Sequence, residues 1–373
     1  MMHFRKRIPS ESQGPAQNRS GFAFVKEVKD STKKTRLLSF TFSTVQTMVI
    51  EMGDQYFRFH TQGQTLNYSN GAAWNNATAY TVGDIALQSG VNYYCTVAHT
   101  NQVPPNTAYW YPLPATYVYE VPSPYLEAEL FDVHYVQSAD VMTIVHPNHA
   151  PKELRRLSAT KWELKTIDFG SPLSPPTGVT VTTYTPSSTS TNADTFEDHE
   201  YVVTAVKANL VDESNQSAVG LTSAGATPTN NIFVTGAKNT ITWTAVTGAS
   251  RYRVYKNQGG IYGFLGETTT TTIVDNNIAP DFTKTPPIHE NDFVGSGNYP
   301  GAVSYFEQRR VFAGTNNAPQ NIWMTKSGTE SNMSFGIPIR DDDRIEFRVA
   351  AREANTIRPV SYTHLTLPTI CSV

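Results

Sequence analysis

Met48-Val49-Ile50-Glu51-Met52-Gly53-Asp54-Gln55-Tyr56-Phe57-Arg58-Phe59-His60 reads as two strands about a tight turn. Gly53-Asp54-Gln55 reverses the chain, and the arms carry the alternation of a sheet with one buried face. Working outward, Phe22-Ala23-Phe24-Val25 and Arg36-Leu37-Leu38-Ser39-Phe40-Thr41-Phe42-Ser43 have the same character. Residues 1–20 hold Pro9, Gly14, Pro15 and Asn18 and read as an extended arm. Downstream, Leu130 to Val136 and Val141 to Val145 form another pair around Gln137-Ser138-Ala139-Asp140. Leu154 to Leu157 and Trp162 to Leu164 read as a shorter hairpin. Helical turns fit only near Pro124 to Leu130 and Pro151 to Leu154.

Between these β stretches lies Gly71 to Pro114, too long for a structureless connection in a compact domain. Its own aromatic pattern marks it as a guest at a loop tip. Residues 21–70 and 115–171 then read as one split host domain, with Phe40, Phe57, Val133 and Ile144 in a single body. Pro172 to Pro176 is a linker. Residues 176–287 carry short strands at sandwich spacing, among them Tyr201 to Lys207, Asn239 to Trp243, Tyr252 to Lys256 and Thr271 to Asp275. One sandwich or two would fit that stretch. Residues 288–360 open a further β segment that returns to the host body. The fold class expected is all-β: multi-domain antiparallel sheets, a small inserted three-stranded module and an immunoglobulin-like sandwich.

The chain has 373 residues, a formal charge of −3 and 16% charged residues. That fraction is below the roughly 25% typical of globular proteins, and Thr, Ser, Asn, Gly, Pro and Tyr fill the gap. Nothing is basic enough for an electrostatic nucleic-acid binder. Cys95 and Cys371 cannot make a disulfide framework. No apolar run reaches the roughly 18 residues of a membrane span, and no apolar stretch follows the basic start as a secretory signal requires. His134, His146 and His149 lie close in sequence, but zinc needs three or four converging ligands. Pro147 also prevents a helix from aligning two of the rings. Asp341-Asp342-Asp343 with Glu346 reads as a solvated turn paired to Arg340 and Arg344. No nucleophile elbow, phosphate loop or dinucleotide fingerprint is present. No enzyme activity, metal or cofactor is expected.

Three resemblances sharpen this reading. The flanking stretches resemble the tail nozzle, or tail tubular, family of short-tailed bacteriophages. The residues carrying it are Val25 to Ser31 leading into Arg36-Leu37-Leu38, Phe42-Ser43-Thr44, Glu51 to Asp54 and Tyr56 to Phe59. It resumes at Asp132 to Met142, His146-Pro147 and Pro151, and again at Pro300 to Val303, Phe306 to Gly314 and Ile322 to Met324. Where the family pattern has Arg-Pro-Gly, this chain has Arg19-Ser20-Gly21. Ser361 to Thr369 resembles translated sequencing adapter, so 361–373 reads as a non-native tail and the chain as a fragment.

The cassette is similar to small chitin-binding modules through Ala73-Trp74, Tyr80, Val82-Gly83-Asp84, Gly90, Tyr93-Tyr94-Cys95, His99-Thr100, Pro104-Pro105 and Tyr109-Trp110. This resemblance implies Trp74, Tyr80, Tyr94, Tyr109, Trp110 and Tyr111 as glycan-binding candidates, since rings stack on sugar faces. Val97-Ala98 stands where the family carries its aromatic pair, and Trp74, Tyr80, Tyr94 and Trp110 read equally as the core of a tiny module. Thr240 to Ala249 with Tyr252 to Tyr255 resembles a fibronectin type III domain, with Trp243 as its buried tryptophan.

The tail resemblance implies a virion structural subunit, assembled in the host cytoplasm and built into the tail as a ring of six copies below the portal or adaptor. Other tail proteins would be neighbours, DNA would pass without specific binding, and the outward modules would meet host cell-surface polysaccharide. A free modular carbohydrate-binding or adhesion protein without catalysis is the alternative. An accessory region of a polysaccharide hydrolase is a third, lacking a recognisable acid pair.

Overall fold

The computed structural model describes residues 24–43, 47–186, 197–221, 231–350 and 355–358. Among them there is no α-helix, and the chain is all-β, built of antiparallel sheets with one parallel pair. It divides into two compact units. The first comprises Met1–Asp132, Gln137–Met142 and Leu154–Leu164; the second comprises Val133–Val136, Thr143–Glu153 and Lys165–Val373. Phe40 and Phe57 therefore lie in the first unit and Val133 and Ile144 in the second, not in the single body expected of residues 21–70 and 115–171.

In the first unit, Arg36–Thr41, Thr47–Gly53, Tyr56–Thr61 and Glu120–Pro122 form one sheet in that order, with Gln64–Thr65 beside Tyr56–Thr61. The opening quotation forms its central hairpin, with Gly53 opposite Tyr56. A Cβ on Gly53 would meet the Tyr56 ring at 2.2 Å, which explains the glycine. Alternation buries Leu38, Phe40, Met48, Ile50, Met52, Phe57 and Phe59 on one face. Trp162 stacks on Phe59 at 4.2 Å between centroids and meets Phe40 edge-on at 4.9 Å.

After Thr65 the chain leaves through a neck and returns to the same sheet. Tyr68 N–H donates to Tyr117 O, Tyr119 N–H donates to Leu66 O, and Asn67 bridges Val118. Val121 then pairs with Phe57 in the parent sheet. The cassette holds four strands in its main sheet rather than three: Trp110–Pro112, Val91–Cys95, Ile85–Gln88 and Ala72–Ala73. The extra one runs parallel to Ile85–Gln88, so the count follows from the entering chain adding itself to the edge. Ala79–Tyr80 pairs separately with His99–Thr100.

Among its described residues the second unit contains one sandwich. Thr180–Tyr184, Lys238–Thr242 and Thr272–Asp275 form one sheet; Gly220–Leu221, Glu200–Val206, Arg251–Gln258 and Ile261–Thr268 form the other. Tyr201, Val203, Ala205, Val254 and Leu265 from one sheet pack on Ile241, Val181 and Ile273 from the other, with Trp243 and Tyr252 edge-to-face at 5.4 Å. A further sheet orders Ala302–Phe306, Arg309–Ala313, Asn321–Met324 and Ile345–Arg348. Val303, Phe312 and Trp323 bury its inner face with Phe169 and Phe293. Arg310, fully buried, is held by Glu153 at 2.6 Å and Glu330 at 2.9 Å.

His134–Ser138, Val141–His146, His149–Ser158 and Lys161–Thr166 follow one another in a four-stranded sheet. The helical turn expected near Pro124 to Leu130 appears as a short 3-10 turn, Glu127–Glu129. The one expected at Pro151 to Leu154 does not form. Those residues lie inside a ten-residue strand, where the Pro151 carbonyl accepts the Ile167 N–H. Proline's missing donor is tolerated where the ladder needs only its acceptor.

Candidate functional site

The cassette is built around a tight hairpin. Gln88 faces Val91 across Ser89-Gly90, both with positive φ, as a primed two-residue turn demands. Successive residues of Val91–Cys95 then face opposite ways. Tyr93 and Cys95 join Tyr80, Ala86 and Trp110 in the cassette core, with Trp74 and Tyr109 against it. Both indole N–H groups, of Trp74 and Trp110, donate to the Gln102 carbonyl, at 3.1 and 2.7 Å. His99 sits among the rings of Tyr80, Tyr109 and Trp110 at 4.9–5.6 Å, and its desolvation lowers the imidazole pKa below the usual 6.5. Burial pushes the Cys95 thiol up to about 11, so it packs as an inert hydrophobe.

This arrangement buries three of the six candidate glycan contacts. Tyr80 and Trp110 are buried in the cassette core. Tyr94 is buried in the opposite direction, and its hydroxyl donates to the Trp162 carbonyl at 2.8 Å. It therefore docks the cassette on the strand Lys161–Thr166. The Val82-Gly83-Asp84 motif serves the same contact: Lys161 pairs with Asp84 at 2.6 Å, and a Cβ on Gly83 would meet the Trp162 carbonyl. Trp74 and Tyr109 remain half-buried, and Val97 and Val103 are exposed. Tyr111 is half-buried, but its hydroxyl is already engaged by Lys29 and Glu120, each at 3.2 Å.

Beneath Tyr111 runs a charged row that strand alternation alone did not reveal. Register places Leu37 opposite Glu51, Glu51 opposite Arg58, and Arg58 opposite Glu120. Glu120, fully buried, accepts Arg58 through Oε1 at 2.5 and 2.8 Å and Lys29 through Oε2 at 2.8 Å. Glu51, 2% exposed, accepts the Tyr56 hydroxyl at 2.6 Å and lies 3.0 Å from His60 Nε2. Burial pushes the Glu51 carboxyl up, but bonds from His60 and Tyr56 and the Arg58 charge outweigh it, leaving it below the usual 4.5. Every carboxylate oxygen in the row is occupied, so the row is a clasp and offers no poised base. It joins the segment before the cassette, the cassette's last strand, the returning strand and the incoming arm.

The other sequence candidates lie in the second unit. His146 is buried, and its ring lies 5.4 Å from that of His149, both on strands rather than a helix. Asp341-Asp342-Asp343 is not wholly a solvated turn. Asp343 is buried and accepts Lys326 Nζ and the N–H groups of Gly336 and Arg340. Asp342, 53% exposed, pairs with Lys326 at 3.1 Å. Asp342, Asp343 and Lys326 line a cleft of about 260 Å³ with Glu213, Arg253, Lys284 and Phe335. Its acids and bases are mostly paired to each other, as Arg253 with Glu213 and Glu267 shows.

Among the described residues no helix is long and apolar enough to cross a membrane. Neither a family model nor a curated protein matches the chain.

Proposed function

We propose that this chain is a structural subunit of a bacteriophage tail, part of a ring-shaped conduit, and not an enzyme. The observation that carries the reading is the pairing of Tyr56–Thr61 with Glu120–Pro122 across the cassette neck. A parent sheet that keeps its register around a guest is an architecture for adding recognition to a scaffold. The tail-family resemblance of the flanking residues supports the identity of that scaffold. Paired, internally satisfied charges in both units support a building block over a reaction centre.

Ring closure requires heterologous contacts, one face of a copy meeting a different face of the next. The edge strand Ile345–Arg348, with Ile345 and Phe347 exposed, and the exposed Leu37 and Phe131 are apolar surface suited to such contacts. The cassette would face outward, with Trp74 and Tyr109 as the ring edges left for a host glycan. Sedimentation and electron microscopy of the purified chain test the reading. Closed rings, six-fold in the simplest case, support it; a monomer that is instead retained on chitin through Trp74 favours a free carbohydrate-binding protein.

A further inference from the structure

The sandwich buries a lysine against an aspartate. Lys256 Nζ lies 2.8 Å from Asp275 Oδ2, with the two side chains 8% and 0% exposed. Lys256 belongs to Arg251–Gln258 in the four-stranded sheet and Asp275 ends Thr272–Asp275 in the three-stranded sheet, so the pair spans the two layers. The buried His199 feels both charges, and two further buried groups bond around the pair. The Tyr201 hydroxyl donates to Asp275 Oδ2 at 2.7 Å and accepts from Asn239 Nδ2 at 2.8 Å. The Ile278 N–H donates to Oδ1 at 2.8 Å. Taking both charges out of water is costly, and an ion pair here is weak evidence of stabilisation alone.

We propose that this pair is the precursor of an intramolecular amide cross-link between Lys256 and Asp275. Transfer of one proton from the ammonium to the carboxylate leaves a neutral amine beside a neutral acid. The Nζ lone pair attacks Cγ and the C–N bond forms, with Ile278 N–H holding the charge on Oδ1. A proton leaves nitrogen and reaches Oδ2 through the Tyr201 hydroxyl, the Cγ–Oδ2 bond breaks, and one water departs. Ammonium plus carboxylate thus becomes amide plus water, with no oxidant or co-reactant. Fixed neighbours of this kind reach effective molarities on the order of 10⁵–10⁸ M, and the product no longer buries two charges. Asn239, acting through Tyr201, is a positioning residue.

The other buried lysine pair lacks this isolation. Lys326 meets Asp343 at 3.0 Å but also the half-exposed Asp342 at 3.1 Å, which keeps its ammonium partnered at the surface.

Intact-mass spectrometry of the denatured full chain tests the proposal. The wild-type chain should weigh one water less than its sequence requires, and its digest should contain one branched peptide joining the Lys256 and Asp275 strands. Lys256→Met should restore the sequence mass; should that variant fail to fold, the wild-type mass still decides. Tyr201→Phe keeps both reacting groups and should slow the loss of water, whereas an unchanged rate rejects the relay through Tyr201. A full sequence mass in chains whose Trp243 fluorescence reports a folded sandwich overturns the proposal. Loss of one ammonia instead of one water also overturns it, assigning the acyl partner to Asn239.

Discussion

The charged row of the first unit and the lysine pair of the sandwich are both buried, yet they are organised oppositely. Glu120 is shared among Arg58, Lys29 and Tyr111, and Glu51 between Tyr56 and His60. Lys256 and Asp275 have each other as ionic partners, beside a tyrosine, an asparagine, a backbone N–H and the buried His199. Distributing a carboxylate over several cations fixes the positions of several chain segments at once. Confining one amine against one acid leaves a single bond-forming trajectory. Burial alone therefore does not tell structure from chemistry; the sharing of a carboxylate among several cations does.

Breaking the shared network should have the largest effect. Glu120→Ala strands Arg58 in the interior, and removing one partner of a buried pair costs about 3–5 kcal/mol; denaturant unfolding of the first unit measures it. The same loss should be largely recovered in Arg58→Met with Glu120→Leu, because replacing both charges by apolar groups removes the desolvation penalty. Failure of that double variant to recover would make the row more than a clasp.

The sign of the acid dependence sharpens the comparison next. Glu51 is held below its unfolded pKa of about 4.5, so its contribution is complete above that value and lost as the pH falls through the lower folded pKa. Glu51→Gln should flatten this acid limb of stability while leaving the neutral-pH fold intact, as thermal melts across the acid range would show. The smallest effect belongs to Lys29, whose side chain is 40% exposed. Lys29→Ala should cost less than about 1 kcal/mol and shrink further in high salt.

Much of the fold was legible because strand alternation is local. Met48 to His60 announced its hairpin, and Trp243 with Tyr252 announced the sandwich core. What escaped depended on register between distant segments. Glu51, Arg58 and Glu120 look solvent-facing in their own strands and become a buried row only when paired and covered by Tyr111 and Lys29. Tyr93 and Tyr94 are neighbours of the same type, and only the sheet decides that one fills the cassette while the other docks it on Trp162. Pro151 suggested a helix start because nothing local shows that its carbonyl has a strand partner. Asp275 and Lys256 are ordinary strand residues until the two sheets close over them.

Amide hydrogen exchange on a chain lacking Gly71 to Pro114 addresses the insertion most directly. If the cassette is a guest, Thr47–Gly53 and Tyr56–Thr61 stay protected and Glu120–Pro122 still pairs with Phe57 and its neighbours. Exchange of those strands at the rate of an unfolded chain would mean that the cassette is part of the sheet's own core, contradicting the scaffold reading.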